Sequence, residues 1–126
     1  MTVRIEGVDR TVAIAAIAAI IPAYQAAPSV ADVVRGTLEI LPEVLVVDDG
    51  STDGTAEAAR RAGARVISHP ANLGKGAALS TGFRDLFGRG FEAVLTWAVG
   101  VDEKRPFLVS TLESPARLVI DVKSSE

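Results

Sequence analysis

Val44-Leu45-Val46-Val47-Asp48-Asp49-Gly50-Ser51-Thr52-Asp53-Gly54-Thr55 is the stretch whose reading decides the fold. Four consecutive apolar residues, three of them valine, suit a strand covered on both faces; a half-exposed strand would alternate. The change to Asp-Asp-Gly-Ser ends that strand in a turn. Thr52 or Asp53 then stands where a cap belongs, ahead of a helix expected over about residues 55–62 with Gly63 as its terminator. Strand, polar turn and helix together make one βα unit.

The same grammar repeats outward in both directions. Upstream, residues 12–23 form the longest apolar run, which Pro22 breaks. It falls well short of the roughly 20 residues a membrane span needs, so it reads as a buried strand through Ile20-Ile21, with no transmembrane segment. Pro28-Ser29 then starts a helix in which Ser29 and Asp32 have capping-box spacing. Val30, Val33, Val34, Leu38 and Leu41 share one face, and Pro42 stops it. Downstream, Arg65-Val66-Ile67-Ser68 is a strand. A third helix spans about residues 75–87, with Ala78, Leu79, Gly82, Phe83 and Leu86 inward, and Ala93-Val94-Leu95-Thr96 is the fourth strand. Right-handed crossovers predict the order 3-2-1-4 for these four parallel strands. After Trp97, residues 106–110 and 117–122 read as a hairpin through Glu113-Ser114-Pro115-Ala116, expected to extend the sheet beside the fourth strand. Residues 2–6 and 11–14 flank Gly7-Val8-Asp9-Arg10 as a second hairpin.

Composition bounds the function. The 126 residues make one domain, with residues 20–96 as its core and 97–126 as a divergent hairpin segment. A chain of this size buries roughly two-thirds of its surface. At 48% hydrophobic and 23% charged it needs no disorder. Thirteen Lys and Arg face sixteen Asp and Glu, and no basic cluster exceeds Arg60-Arg61, so nucleic acid is not an expected partner. The absence of cysteine excludes disulfides, thiolate metal sites and Cys nucleophiles, and His69, the one histidine, makes no two-His metal site. Arg4, Arg10 and the apolar run fit a secretory leader only loosely, so the expected compartment is the cytoplasm. Open sheet edges leave oligomerisation possible.

Three segments in order, Ile21-Pro22-Ala23-Tyr24-Gln25, then the stretch from Val46 through Thr55, then Asn72-Leu73-Gly74-Lys75-Gly76-Ala77-Ala78, resemble the N-terminal half of family 2 glycosyltransferases, the dolichyl-phosphate-mannose-synthase-like branch included. The resemblance covers residues 20–96. It implies an α/β, three-layer nucleotide-sugar-binding core of Rossmann-like, GT-A type, here followed by the C-terminal β-hairpin. It also implies a nucleotide sugar or nucleoside diphosphate as ligand, held by Pro22, Ala23, Tyr24, Asp48, Asp49, Asn72 and Lys75. The chemistry agrees, because carboxylates at a strand's carboxyl end accept hydrogen bonds from base N–H groups or ribose hydroxyls. A helix N-terminus carrying Lys75 suits a diphosphate. The segment is not a Walker A loop, since Ala77 stands where Ser or Thr belongs. Two plainer readings stay open: Asp48 through Ser51 as a capped turn, and Lys75 as a solvated lysine at a glycine-relieved helix start. His69 reads as structural.

The departures bear on catalysis. Gln25-Ala26-Ala27 stands where the family has Asn-Glu-Glu, removing two acidic side chains. Ala98-Val99-Gly100 stands where the family's Asp-x-Asp would hold the divalent cation, Mg²⁺ or Mn²⁺, on the donor diphosphate. Neither Ala nor Gly brings a side-chain oxygen, and Asp102 and Glu103 are off register. No metal ligand and no catalytic residue is therefore assigned. Nothing in residues 101–126 resembles the family's acceptor half with its catalytic base. Residues 97–122 instead faintly resemble an AMIN-like β domain, so that the chain reads as a possible chimera. Two functions compete: a truncated nucleotide-sugar-binding domain with catalysis doubtful, and a recombined α/β structural or interaction protein without chemistry.

Overall fold

A computed structural model of the protein describes residues 2–6, 10–96, 107–110 and 115–119, with side chains for residues 13–96. The chain order is β1 (Thr2–Glu6), β2 (Arg10–Ala13), a 3-10 turn (Ile14–Ala16), β3 (Ile17–Ala23), α1 (Ala27–Leu38), β4 (Glu43–Asp48), α2 (Thr55–Ala62), β5 (Arg65–Ser68), α3 (Lys75–Gly88), β6 (Ala93–Thr96), β7 (Phe107–Ser110) and β8 (Pro115–Val119). The described strands form one sheet in the order β2-β1-β8-β7-β6-β3-β4-β5.

Its parallel part, β5-β4-β3-β6, has the expected 3-2-1-4 order, with Ile20 registered against Leu45 on one side and Thr96 on the other. β7 runs antiparallel to β6, so the C-terminal hairpin extends the sheet where expected. The N-terminal hairpin also forms, and β1 pairs with β8, a junction between the chain's two ends that the sequence pattern did not indicate.

β3 is buried along its whole length, because the sheet turns apolar side chains to helices on both faces. Ile17, Ile21, Val44 and Val46 pack with α1 and α2. Ala18, Ile20, Leu45 and Val47 pack against α3 through Ala78 and Leu86. α3 comes so close that a Cβ on Gly82 would lie 2.7 Å from Ile20 Cδ1. Pro22 is tolerated in this central strand for a geometric reason. Ala23 turns its carbonyl toward β4's side, where it accepts from Asp49 N (2.9 Å), so Pro22 faces the β6 side, past the last described pair, Ile20 with Thr96.

Three local expectations need correction. The strand begins at Ile17 and reaches Ala23, because residues 14–16 turn as a 3-10 segment. The Ser29/Asp32 capping box does not form. α1 starts at Ala27 with Pro28 in its first turn, and Asp32 instead pairs with Arg35 (2.7 Å). Nor does α1 reach Pro42. It ends at Leu38, and the Thr37 carbonyl takes the Ile40 and Leu41 amides while Leu41 stays buried.

Candidate functional site

The chain switches direction beside β3: β4 and β5 lie to one side and β6 to the other. In open α/β sheets the ligand crevice lies beyond the carboxyl ends of the strands at such a switch. Three segments meet there, residues 22–27 after β3, 48–55 after β4 and 69–75 between β5 and α3.

Residues 48–55 supply the cap that α1 lacks. Gln25 N donates to Ser51 Oγ (2.8 Å), Ala26 N to Thr55 Oγ1 (2.9 Å) and Ala27 N to Asp53 Oδ2 (3.1 Å). The Gln25 side chain completes the stitch, donating to Thr52 Oγ1 (3.2 Å) and accepting from Thr52 N (2.7 Å). Asp53 also accepts from the amide and hydroxyl of Thr55. The hydrogen bond from Thr55, with those from the Ala27 and Thr55 amides, outweighs burial and holds its carboxyl below the ordinary value. Gln25, with φ 51°, is the non-glycine residue in the left-handed region that lets the chain turn from β3 into α1. Sequence reading missed this role for Gln25, Ser51, Thr52, Asp53 and Thr55. The available signal was a run of short hydroxyl and carboxylate side chains facing a helix start with no cap of its own.

The other wall is residues 69–74. His69 N donates to the Asp48 carbonyl (2.8 Å), and the Asp49 carboxylate accepts from Leu73 N (2.9 Å), Gly74 N (2.8 Å) and His69 Nδ1 (2.8 Å). His69 Nε2 lies 2.9 Å from Thr81 Oγ1 on α3. Gly50 makes the fit possible. At φ +81° it backs onto this segment so closely that a Cβ would lie 2.5 Å from the Ala71 carbonyl carbon. Burial opposes ionisation of Asp49, yet the hydrogen bonds from His69, Leu73 and Gly74, with the His69 charge, outweigh it and hold the carboxyl below the usual carboxylate value.

The expected site residues thus divide. Pro22 and Ala23 are buried at the end of β3, and Tyr24, 53% exposed, stands beyond them. Asp48 and Asp49 are both buried at the end of β4. Among the described residues, Asp48 accepts only from Ser51 N (3.1 Å, at Oδ1), well short of its acceptor capacity. Asp49 has three of about four acceptor positions taken. Asn72 and Lys75 are exposed, the first on the strap formed by residues 69–74 and the second at the first turn of α3, which has no side-chain cap. His69 is structural here as expected, although its partners across 12 and 20 positions of sequence left no local signal.

Among the described residues no group of three His, Cys, Asp or Glu side chains is placed to hold a metal ion. Residues 98–103, where the missing Asp-x-Asp and the off-register Asp102 and Glu103 were read, lie outside them. Among the described residues no helix is long and apolar enough to cross a membrane.

Comparison with known proteins agrees with this geometry. No curated protein sequence matches. The model of the family described as glycosyl transferase family 2 matches residues 18–97. Among solved structures, glucosyl-3-phosphoglycerate synthase from Mycobacterium tuberculosis, in complex with Mn²⁺, UDP-glucose and phosphoglyceric acid, is 30% identical with a TM-score of 0.52, over 65% of this chain and 32% of its own. Mannosyl-3-phosphoglycerate synthase from Rubrobacter xylanophilus is 27% identical with a TM-score of 0.55, over 71% and 32%. The chain therefore spans about a third of the length of these structures. A family model that covers most of the chain, on a sheet of the same GT-A type, places this protein in glycosyl transferase family 2.

Proposed function

We propose that this chain is a nucleotide-binding domain for a sugar-nucleotide donor, seated at the carboxyl ends of β3 and β4. Pro22, Ala23 and Tyr24 form one side of the seat. Asp48, and the remaining acceptor position of Asp49, take base N–H groups or ribose hydroxyls. Asn72 and Lys75, with the uncapped first turn of α3, face the diphosphate. The observation that carries this reading is the pair of buried carboxylates at the switch point: among the described residues one accepts only from Ser51 N, and the other fixes the loop that leads to Lys75. The solved relatives support it, since the mycobacterial synthase has been captured with UDP and with UDP-glucose.

Sugar transfer by these 126 residues alone is not part of the proposal. Ala98-Val99-Gly100 offers no side-chain oxygen for the cation, and residues 101–126 show no likeness to an acceptor half. Thermal unfolding with UDP or GDP, each with and without Mn²⁺, tests the reading. A ligand at a hundred times its dissociation constant adds about 2.7 kcal/mol, and the expected shift is the same with and without the metal. No shift with either nucleotide would favour the alternative of a structural or interaction protein on a glycosyltransferase-derived fold.

A further inference from the structure

His69 touches three parts of the molecule at once. Its backbone amide is fixed to β4, its Nδ1 to Asp49, and its Nε2 to Thr81 in the second turn of α3. Its side chain is 9% exposed and that of Asp49 is 6%. An ionised carboxylate only accepts, so Nδ1 carries the hydrogen in this pair, while the Thr81 hydroxyl can donate to Nε2 or accept from it. One ring orientation satisfies both contacts. Turning the ring over would leave a buried carboxylate and a hydroxyl facing carbon, which buried polar groups do not tolerate cheaply.

Asp49 in turn carries the strap, since its oxygens hold the Leu73 and Gly74 amides on either side of the step into α3. Asn72 and Lys75 flank those two anchored amides in sequence. Whatever fixes the Asp49 carboxylate therefore fixes where these side chains start. We infer that His69 is a positioning residue: held between Asp49 and Thr81, it keeps residues 69–74 across the end of β4 and so sets Asn72 and Lys75 at the nucleotide site. Only the last step rests on the proposed function; the fastening of the strap stands apart from it.

The test uses the full chain, with amide hydrogen exchange at Leu73 and Gly74, ring-nitrogen NMR of His69, and titration with UDP. His69→Leu removes both contacts. His69→Asn keeps a donor for Asp49, Thr81→Val removes the far anchor, and Thr81→Ser restores it. In His69→Leu, exchange at Leu73 and Gly74 is expected to rise about tenfold or more, the scale of one lost charge-assisted hydrogen bond, while amides within β3 and β4 stay protected. UDP affinity falls by a similar factor. His69→Asn recovers part of both, Thr81→Val shifts the His69 ring-nitrogen signals and weakens UDP, and Thr81→Ser returns both to the wild-type values. Should His69→Leu fail to fold, Thr81→Val, which keeps the Asp49 contact, carries the same readouts. Unchanged protection at Leu73 and Gly74 in the variants, or lost protection with unchanged UDP affinity, overturns the assignment. A wild-type chain that binds no UDP overturns the nucleotide reading instead, and exchange alone then decides the strap.

Discussion

The two walls beyond β4 are built from different materials. On the α1 and α2 side, residues 51–55 meet 25–27 through hydrogen bonds spread over three hydroxyls, an amide and one carboxylate, Asp53, all of them exposed except the buried contact of Ala26 with Thr55. On the α3 side, a single buried carboxylate, Asp49, gathers two backbone amides and the imidazole. The first wall is redundant, so losing one member leaves the others in place. The second has one keystone. The loop that leads into α3 is thus held by one buried, hydrogen-bonded carboxylate, and removing it strands several polar groups at once.

The contrast is broken most directly at its keystone. Asp49→Ala should destabilise the protein by roughly 3–5 kcal/mol, because it leaves two backbone amides and the His69 ring nitrogen without their acceptor, at about 1–3 kcal/mol each. Asp53→Ala should cost clearly less, because Thr55 Oγ1 still accepts the Ala26 amide. Urea denaturation of the two variants side by side measures the difference, and equal losses would mean that the walls are not built differently.

Glycine substitutions sharpen the same point. Gly50→Ala meets the Ala71 and Asn72 backbone at a positive φ, so the strap itself must lift, at a cost of roughly 2–4 kcal/mol. Gly82→Ala meets only the Ile20 side chain, which can change rotamer, and should cost about 1–3 kcal/mol. Calorimetric melting separates them, and only Gly50→Ala should also release exchange protection at Leu73 and Gly74.

Acid titration probes the keystone without mutation. The Asp49 carboxyl is held below its unfolded value of 3.8, so its contribution to stability is present above that value and is lost as pH falls from there through the folded value. Below pH 4 the wild type should lose stability faster than Asp49→Asn, which has no proton to take up at this site. Stability curves from pH 2.5 to 6 check this, and parallel curves would contradict it. The smallest effect is expected in the redundant wall. Gln25→Gly gives up two exposed hydrogen bonds and relieves the strain of φ 51°, so the net change should stay within about 1 kcal/mol by urea denaturation.

How far the sequence revealed these walls follows from the range of the forces involved. The parallel core was legible because Val44-Leu45-Val46-Val47 and the apolar faces of the helices repeat with the periods of the elements they build. The strand order followed from the βα alternation and right-handed crossovers together with the family resemblance. The Ser29/Asp32 capping box was misread because capping can be supplied from another loop: Asp53 and Thr55 reach the start of α1 across more than 25 positions of sequence. Asp48 and Asp49 were read from the sequence as candidate ligand contacts but not as two different groups. Their division of labour depends on His69, Leu73 and Gly74, which only the fold brings within reach. The pairing of β1 with β8 joins the chain's two ends, and no local pattern marks such a contact.

Calorimetric titration of the full chain with UDP-glucose and GDP-mannose, in Mn²⁺ and again in EDTA, tests the central claim most directly. The account predicts weak binding of the nucleotide portion through Asp48, Asp49 and the start of α3, with the same dissociation constant in both solutions and no sugar transfer or donor hydrolysis. Tight binding that EDTA abolishes, accompanied by turnover, would contradict it and would mean that Asp102 or Glu103 supplies the cation site that Ala98-Val99-Gly100 lacks.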